Sequence, residues 1–322
     1  MCVLFYSYLQ LNEVKQCTKC KKNQSVYFRP YSGEYLCKKC FIYSIEFKMA
    51  KTISKYSMIN YDDKVGIGVS GGKDSLSLLC AIKRMYEAKG KNSKSLVAIT
   101  IDEGINNYRN ESLQIVKNYC EKLEIHNFVF SYKDLFDLTM DQAMQTRHNE
   151  KITSCSVCGT FRRRAIDIAA ERLGVNILAT AHNLDDQLQS FMINLFSGDV
   201  DRIGWIHPEP VQYGNFGIKK IKPFIEIYEQ EIVFYALMQD IPFQSEECPY
   251  SNESIRTDIR SFLNSLETNR FGIKYNIYNS IIKISSRLKN TNSVSKKKCS
   301  KCGKDSSGEI CSVCKTISLF HE

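Results

Sequence analysis

No run of about 18 apolar residues occurs in the 322-residue chain, so no membrane-spanning helix is expected. A secretion signal is also missing. Met1 to Leu9 is apolar but has neither a basic leader nor a small-residue cleavage site, and it reads more simply as a short helix or strand covering the next module. Without export, the fourteen cysteines argue against disulfides and for bound metal in a cytoplasmic protein. Acidic residues are absent from Thr268 to Lys304, where ten Lys or Arg residues stand. Over the whole chain, 44 basic against 35 acidic residues leave a net charge of +9, which favours an anionic partner such as RNA. The remaining composition is that of a soluble globular protein, long enough for one domain with appendages or for two domains.

Two common glycine-loop patterns are set aside. The Walker pattern G-x-x-x-x-G-K-S/T fails twice around Gly72-Lys73: Ile67 stands where the first glycine belongs and Asp74 where the hydroxyl belongs. The dinucleotide pattern G-x-G-x-x-G does match at Gly66, Gly68 and Gly71. However, two of these glycines fall inside a strand, and the first acid suited to a ribose, Asp102, lies 31 residues past Gly71 rather than about 20. What remains is Ser70-Gly-Gly-Lys-Asp-Ser75 itself. Val65 to Val69 reads as a buried strand, Ser70 to Gly72 as a turn open to a ligand, and Asp74 to Tyr86 as a helix packed on a sheet. Such a turn aims free backbone N–H groups and the helix dipole at an anion, and Lys73 adds a mobile positive charge. The stretch resembles the pyrophosphate loop (PP-loop) of the ATP pyrophosphatases, which implies ATP held by Ser70, Gly71, Gly72, Lys73, Asp74 and Ser75.

Leu96 to Ile101 reads as a second strand ending at Asp102-Glu103-Gly104, Phe128 to Phe130 as a third, and Asn176 to Ala181 as a fourth. The fourth runs into His182-Asn-Leu-Asp-Asp186 and a helix through Phe196. Helices are expected over Arg109 to Leu123, over Asp134 to Met144 with Asp134 as cap, and over 41–60 with Phe41, Ile45, Phe47 and Ile53 packing. Strands alternating with helices predict an α/β fold with a doubly wound parallel sheet. Ligands gather at the carboxyl ends of such strands, and the loops at Ser70, Asp102 and His182 all lie there. Adjacent on a helix, Asp185 and Asp186 point about 100° apart, so one would bind Mg²⁺ or position a hydroxyl while the other caps the helix. His182 reads as structural rather than as a base.

Cys17-x-x-Cys20 and, sixteen residues on, Cys37-x-x-Cys40 fit a four-thiolate zinc site. Cys299-x-x-Cys302 and, eight residues on, Cys311-x-x-Cys314 make a second. Modules this small lack a core, so the metal supplies folding energy. Lys21, Lys22, Arg29, Lys38 and Lys39 make the first a candidate RNA contact. Phe271 to Leu288 reads as a helix packing through Ile273, Ile277, Ile281 and Ile284, with a basic face for phosphates, and Asn290 to Lys298 as a tether. Cys80 reads as core. Cys155-Ser-Val-Cys158 stands apart. Arg162, Arg163 and Arg164 follow it, and their charge, with a helix start, would lower thiol pKa values. Cys248, in Glu247-Cys-Pro-Tyr250, is the cysteine best suited to join it. Three thiolates cannot close a structural zinc site. They suit an iron–sulfur cluster with one iron open; a persulfide or disulfide on Cys155 and Cys158, or plain burial, are the rival readings.

With these pieces placed, nearly the full length resembles the tRNA 2-thiouridine synthetases of archaea and eukaryotes, the cytosolic thiouridylase subunit-1 group. The resemblance is carried by Leu36-Cys-Lys-Lys-Cys-Phe41, Gly68 to Ser75, Ile101-Asp-Glu-Gly-Ile105, Cys155-Ser-Val-Cys-Gly159 with Arg162, His182 to Asp186, Ile221-Lys-Pro-Phe224, Glu247 to Tyr250 and the closing cysteine pairs. It implies that ATP binds with Mg²⁺, that uridine O2 attacks the α-phosphate with loss of pyrophosphate, and that sulfide replaces AMP at C2. Lys73 and Arg162 would stabilise developing charge. Asp74 or Asp186 would orient metal or base, and Asp102 and Ala181 would complete the ATP site. Cys155, Cys158 and Cys248 would hold a 4Fe-4S cluster with one open iron for the sulfide. Sulfur would come from a ubiquitin-like carrier or free sulfide, and a homodimer is implied. Ala181 replaces the family's usual glycine, narrowing the nucleotide site, and Gln187 replaces a usual acid. Gly198-Asp-Val200 and Thr257 to Leu266 favour the wobble uridine, position 34, over the ribothymidine-loop uridine, position 54. Chemistry on another carbonyl, or an inactive ATP fold that only binds RNA, are the alternatives. The expected units are a zinc ribbon over 1–45, the PP-loop domain over 46–268, and a basic helix, tether and zinc module over 269–322.

Overall fold

Short apolar runs separated by helix-forming stretches fold into one six-stranded sheet in the computed structural model, which describes residues 15–90, 95–146, 153–209, 212–213, 217–250, 255–289, 297–306 and 308–320. Met1 to Leu9 and most of the expected tether lie outside the described residues. A hairpin of β1 (Tyr27–Arg29) and β2 (Glu34–Leu36) precedes the sheet. The sheet itself contains β3 (Val65–Gly68), β4 (Leu96–Asp102), β5 (His126–Ser131), β6 (Ile177–Ala179), β7 (Gln212–Tyr213) and β8 (Ile218–Ile221), in the order β5-β4-β3-β6-β8-β7. Five strands run parallel, and β7 pairs antiparallel with β8 at the edge. The doubly wound parallel sheet expected from the alternation therefore forms. β8 and β7 were not legible as strands.

Alternation along the strands assigns the two faces. Val65, Ile67, Ala98, Ile177 and Ala179 share a core with Leu76, Leu79 and Ile82 of the helix Lys73–Ala88 and with the helix Lys38–Lys55. Val97, Ile99, Ile101 and Leu178 share the other core with Phe161, Ala165 and Ala169 of the helix Ser154–Arg172. The N-terminal cysteine module belongs to the first core. The C-terminal one, with β9 (Lys297–Lys298) and β10 (Asp305–Ser306), belongs to the second. Chain order places β4 on one side of β3 and β6 on the other. The winding reverses between β3 and β6, and a crevice must open there at the carboxyl ends.

Several local expectations are corrected. Asp134 to Met144 is two helices, Tyr132–Phe136 and Met140–Gln145, split at Asp137 with φ 55°. Ser131 caps the first by accepting the Asp134 N–H, so Asp134 is not the cap; Thr139 and Gln142 form a capping box on the second. Phe47 is 57 % exposed and stacks on Tyr43, while Met49 and Thr52 pack in its place. The helix Lys38–Lys55 continues directly from the N-terminal cysteine module. On Ile273–Lys289 the buried face is Lys274, Tyr278, Ile281 and Ser285, and Ile284 points outward. Lys274 therefore leaves the basic face and pairs with Asp185, while Lys283 and Arg287 stay exposed.

Arg29, read as a possible RNA contact, is buried. Its Nε lies 2.7 Å from Glu231 Oε1, and its two Nη atoms donate to Glu34 (2.9 Å) and Ser44 (2.8 Å). Tyr31 also donates to Glu231, whose side chain is wholly buried. This cluster locks the β1–β2 hairpin onto the helix Glu229–Met238, while Lys21, Lys22, Lys38 and Lys39 remain exposed. Breaking a buried ion pair from one side costs more than the pair is worth, because the other charge stays buried. Glu231→Ala is predicted to lower the stability measured by urea unfolding by about 3 kcal/mol, the low end of that range because Glu34 still faces Arg29. Zinc content should be unchanged; a loss below about 1 kcal/mol would show that the cluster does not hold the hairpin.

Candidate active site and metal centres

The turn after β3 is shaped by positions that refuse a side chain. Gly71 has φ 87°, and a Cβ there would sit 2.7 Å from Ser112 Cβ. At Gly68 a Cβ would meet Ile166 at 2.8 Å, so this glycine lets the helix Ser154–Arg172 cross close to the strand. Ser75 Oγ accepts the Ser70 N–H (3.1 Å) and donates to Gly72 O (2.9 Å), tying the loop to the first helical turn. Gly72 is the N-cap of Lys73–Ala88 and supplies no side-chain cap, so the helix start faces the crevice. A cavity of about 320 Å³ opens there. Ser70, Gly72, Asp74 and Ser75 line it from the loop, Thr180, Ala181 and His182 from the end of β6, and Asp186 and Arg162 from two helices. Gly71 and Lys73 complete the loop itself. Asp102 does not line the cavity: its Oδ1 accepts the Gly104 N–H at 2.9 Å, and the neighbouring Glu103 lines it instead.

Three carboxylates and a lysine set the field in the crevice. Lys73 Nζ lies 3.0 Å from Asp74 and 2.8 Å from Glu229. Burial opposes the charge of Lys73, but the two acids outweigh it and raise its pKa. Burial pushes the Asp74 carboxyl up to about 6; Lys73 opposes this, and Glu229 and Asp186 add to it. Asp186 is likewise raised, by burial first and by Glu229. Asp74 Oδ1 is buried without a hydrogen-bond partner. A buried carboxylate oxygen with no donor, beside a second carboxylate, is the chemistry a Mg²⁺ ion satisfies, so Asp74 and Asp186 fit that metal. Asp185 does not share the role. Its Oδ2 accepts the Glu229 N–H at 2.8 Å and its Oδ1 binds Lys274. Neither aspartate is the helix cap, which is Asn183 in a capping box with Asp186. Gln187 is structural, donating to Ile206 O at 2.6 Å.

The cysteine pair sits in the first turns of Ser154–Arg172, capped by Thr153. Cys155 Sγ lies 3.7 Å from Tyr250 O, to which Ser154 also donates at 3.0 Å, so the Cys248–Tyr250 segment is pinned to this helix. Arg162 Nη2 donates to Cys158 Sγ at 3.3 Å, whereas Arg163 turns toward Thr160. The expected lowering of the thiol pKa values does not hold at Cys158, and Cys248 is raised as well. Burial pushes both up, and Arg162 only partly offsets it. The three thiols are not gathered within 4.8 Å of one another, as a single-metal site would need. Ligands of a polynuclear cluster each bind a different iron, so the set fits a cluster and leaves one iron without a protein thiolate.

The zinc candidates are tighter. Cys17, Cys20, Cys37 and Cys40 bring all four ligand atoms within 4.8 Å of one another, as do Cys299, Cys302, Cys311 and Cys314. Cys20 and Cys37 are 3.9 Å apart, and Cys302 and Cys311 are 3.7 Å apart. Tetrahedral thiolates at a Zn–S distance of ~2.3 Å lie ~3.8 Å apart, so both sets fit zinc.

Sequence reasoning missed four functional neighbours: Glu103, Arg109, Glu229 and Lys274. Glu103 stood inside a noted strand end. Arg109 opens the helix six residues after Glu103, Glu229 and Lys274 come from helices distant in sequence, and no local pattern marks any of the three.

Residues 43–267 match the PP-loop domain family, and residues 16–42 match the 2-thiouridine synthetase TtuA N-terminal LIM domain. The cytoplasmic tRNA 2-thiolation protein 1 of Laccaria bicolor is 35 % identical over 300 residues, covering 92 % of this chain and 83 % of that protein. A probable sulfurtransferase of Methanocaldococcus jannaschii is 32 % identical over 325 residues, covering 100 % of this chain and 93 % of its own. The chain belongs to the tRNA 2-thiolation family of PP-loop sulfurtransferases. A solved structure, the U34-tRNA thiolase NcsA from Methanococcus maripaludis with its 4Fe-4S cluster, superposes with a TM-score of 0.78 at 31 % identity, covering 94 % of this chain and 95 % of that one. The family's fold is therefore present here, with a four-cysteine set near each end of the chain.

His182 Nδ1 lies 2.9 Å from Thr180 Oγ1, and burial, with Lys222, Arg256 and Arg162 adding to it, lowers its pKa to about 4. The imidazole is neutral at pH 7. Because the folded value lies below the ordinary 6.5, its contribution to stability is complete above that pH and is lost as pH falls toward 4. NMR of ring-¹⁵N histidine, assigned with His182→Gln, should show this ring neutral down to about pH 5. Titration near 6.5 would refute the buried, cation-faced placement.

Proposed function

We propose that this enzyme 2-thiolates the wobble uridine of tRNA, consuming ATP. The observation that carries the reading is the position of Arg162, which lines the loop cavity and also donates to Cys158, so nucleotide and sulfur chemistry share one side chain. The triphosphate of ATP lies on the Ser70–Ser75 loop against the helix start, with Asp74 and Asp186 holding Mg²⁺. Uridine O2 attacks the α-phosphorus and the bond to pyrophosphate breaks. Lys73 and Arg162 face the charge that develops. Sulfide then attacks C2, the C2–O2 bond breaks, and AMP leaves with that oxygen. Neutral His182 borders the site without adding charge. Cys155, Cys158 and Cys248 hold a 4Fe-4S cluster, which when bound supplies an iron open to sulfide. Two zinc ions close the terminal modules.

Likeness across nearly the whole chain to a U34-tRNA thiolase supports position 34 over position 54. Exposed Lys21, Lys22, Lys38, Lys39, Lys283 and Arg287 supply basic surface for the RNA backbone. The resemblance also supports a homodimer and sulfur delivered as free sulfide or by a ubiquitin-like carrier. Relatives named as cytoplasmic support a cytoplasmic enzyme, and no helix among the described residues is long and apolar enough to cross a membrane.

Anaerobically reconstituted protein with ATP, Mg²⁺, sulfide and tRNA tests this reading, with nucleosides read by mass spectrometry. 2-Thiouridine should form and disappear when uridine 34 is replaced by cytidine. Loss only on replacing uridine 54 would move the target. Cys248→Ala should lose both iron and thiolation while keeping about two zinc per chain. Thiolation retained without iron would remove the cluster from the mechanism.

A further inference from the structure

Glu103 is the least expected group in the site. Its side chain is 3 % exposed, and it lies between two guanidiniums. One oxygen forms an ion pair with Arg109 Nε at 2.7 Å, without hydrogen-bond geometry, so neither of these two buried atoms has a hydrogen-bond partner. The other accepts from Arg162 Nε at 2.9 Å and lies 2.8 Å from Arg162 Nη2. Arg109 is itself buried, and its Nη atoms donate to Ser70 O (2.9 Å) and Ile101 O (2.6 Å). Arg162 differs: its side chain is 53 % exposed and it borders the cavity. A continuous chain of polar contacts thus runs from the carbonyl of the first loop residue through Arg109, Glu103 and Arg162 to Cys158, the Arg109–Glu103 link being an ion pair and the others hydrogen bonds.

The arrangement is over-determined for a structural ion pair. Arg109 already has two backbone carbonyls and needs one carboxylate oxygen. The second oxygen restrains the only flexible, half-exposed member of the chain. A long arginine side chain at a cavity wall would otherwise sample several rotamers, and ordering it would cost affinity each time a phosphate bound. Two contacts to one buried carboxylate oxygen remove that freedom beforehand. The cluster is also charge-unbalanced: two guanidiniums face one carboxylate. Glu103 therefore orients the positive charge of Arg162 without cancelling it, because Arg109 takes up the carboxylate's charge on its far side.

We propose that Glu103 is a positioning residue that, braced by Arg109, holds the Arg162 guanidinium at the wall between the nucleotide cavity and Cys158, ready for the phosphate of the adenylyl group. This rests on the nucleotide reading of the cavity. It assigns Glu103 no contact with substrate.

The test uses the full chain and compares AMP with adenosine by calorimetric titration, for wild type, Glu103→Ala, Arg162→Ala and the double variant. A residue acting through Arg162 should weaken AMP binding about tenfold or more, the worth of one charged hydrogen bond, and leave adenosine unchanged. The double variant should lose no more than Arg162→Ala alone, since contributions through one group do not add. Glu103→Gln keeps the volume but places an amide against a guanidinium, so it should show the same pattern and serves if the alanine chain does not fold. Glu103→Asp, which keeps the charge, should recover part of the AMP affinity. Equal weakening of AMP and adenosine, additive losses, or unchanged AMP binding would each overturn the proposal. A wild-type chain that bound neither AMP nor ATP would instead overturn the nucleotide reading, and this inference with it.

Discussion

A parallel sheet wound from both faces must open where its winding reverses, and the groups that line the cavity are placed by that constraint. β3 has β4 on one side and β6 on the other, so the crossover helices leave the carboxyl end of β3 uncovered. The glycine turn, Glu103 and His182 all arrive there because each follows a neighbouring strand. The helix Ser154–Arg172 returns across the sheet to reach β6, and Gly68 lets it lie against β3. That single crossing delivers Arg162 to the nucleotide crevice with Cys158 beside it. The two cysteine modules take opposite faces of the same sheet. They brace the helices that frame the crevice without entering it.

The electrostatics of the crevice are arranged for absent charge. Asp74, Asp186 and Glu229 crowd one another around Lys73, and the cost shows in an Asp74 carboxyl held near 6 with one oxygen unpartnered. A folded protein retains such frustration where a ligand relieves it. A divalent cation would answer the acids, and phosphates would answer Lys73, Arg162 and the helix start. The neutral state of His182 belongs to the same balance, since another cation there would compete with the metal. On the sulfur side burial dominates: Arg162 does not bring the Cys158 or Cys248 thiol down.

Much of this was legible in sequence because the chemistry is local. Ser70 to Ser75 is a contiguous loop, both four-cysteine sets are paired C-x-x-C runs, and the strands before Ser70, Asp102 and His182 are plain apolar runs. What stayed hidden depends on tertiary placement. Arg29 and Lys274 read as surface charge, yet each pairs with a buried acid about 90 or more residues away in the chain, Glu231 and Asp185. Phe47 and Ile284 fit a helical apolar stripe but face outward, because the stripe is set by Met49 and Thr52 in one helix and by Tyr278 and Ile281 in the other. Asp102 and Glu103 are neighbours on one strand end, and only the fold decides that the first turns back to its own loop while the second reaches the arginines.

The central claim is that uridine O2 becomes an oxygen of AMP. A tRNA carrying ¹⁸O at O2 of the target uridine tests this directly, with the AMP released during thiolation weighed by mass spectrometry. Attack of O2 on the α-phosphorus followed by displacement at C2 predicts AMP heavier by one ¹⁸O, in step with 2-thiouridine formed. Unlabelled AMP, or ADP in its place, would contradict adenylation of the uridine and require a different use of the loop.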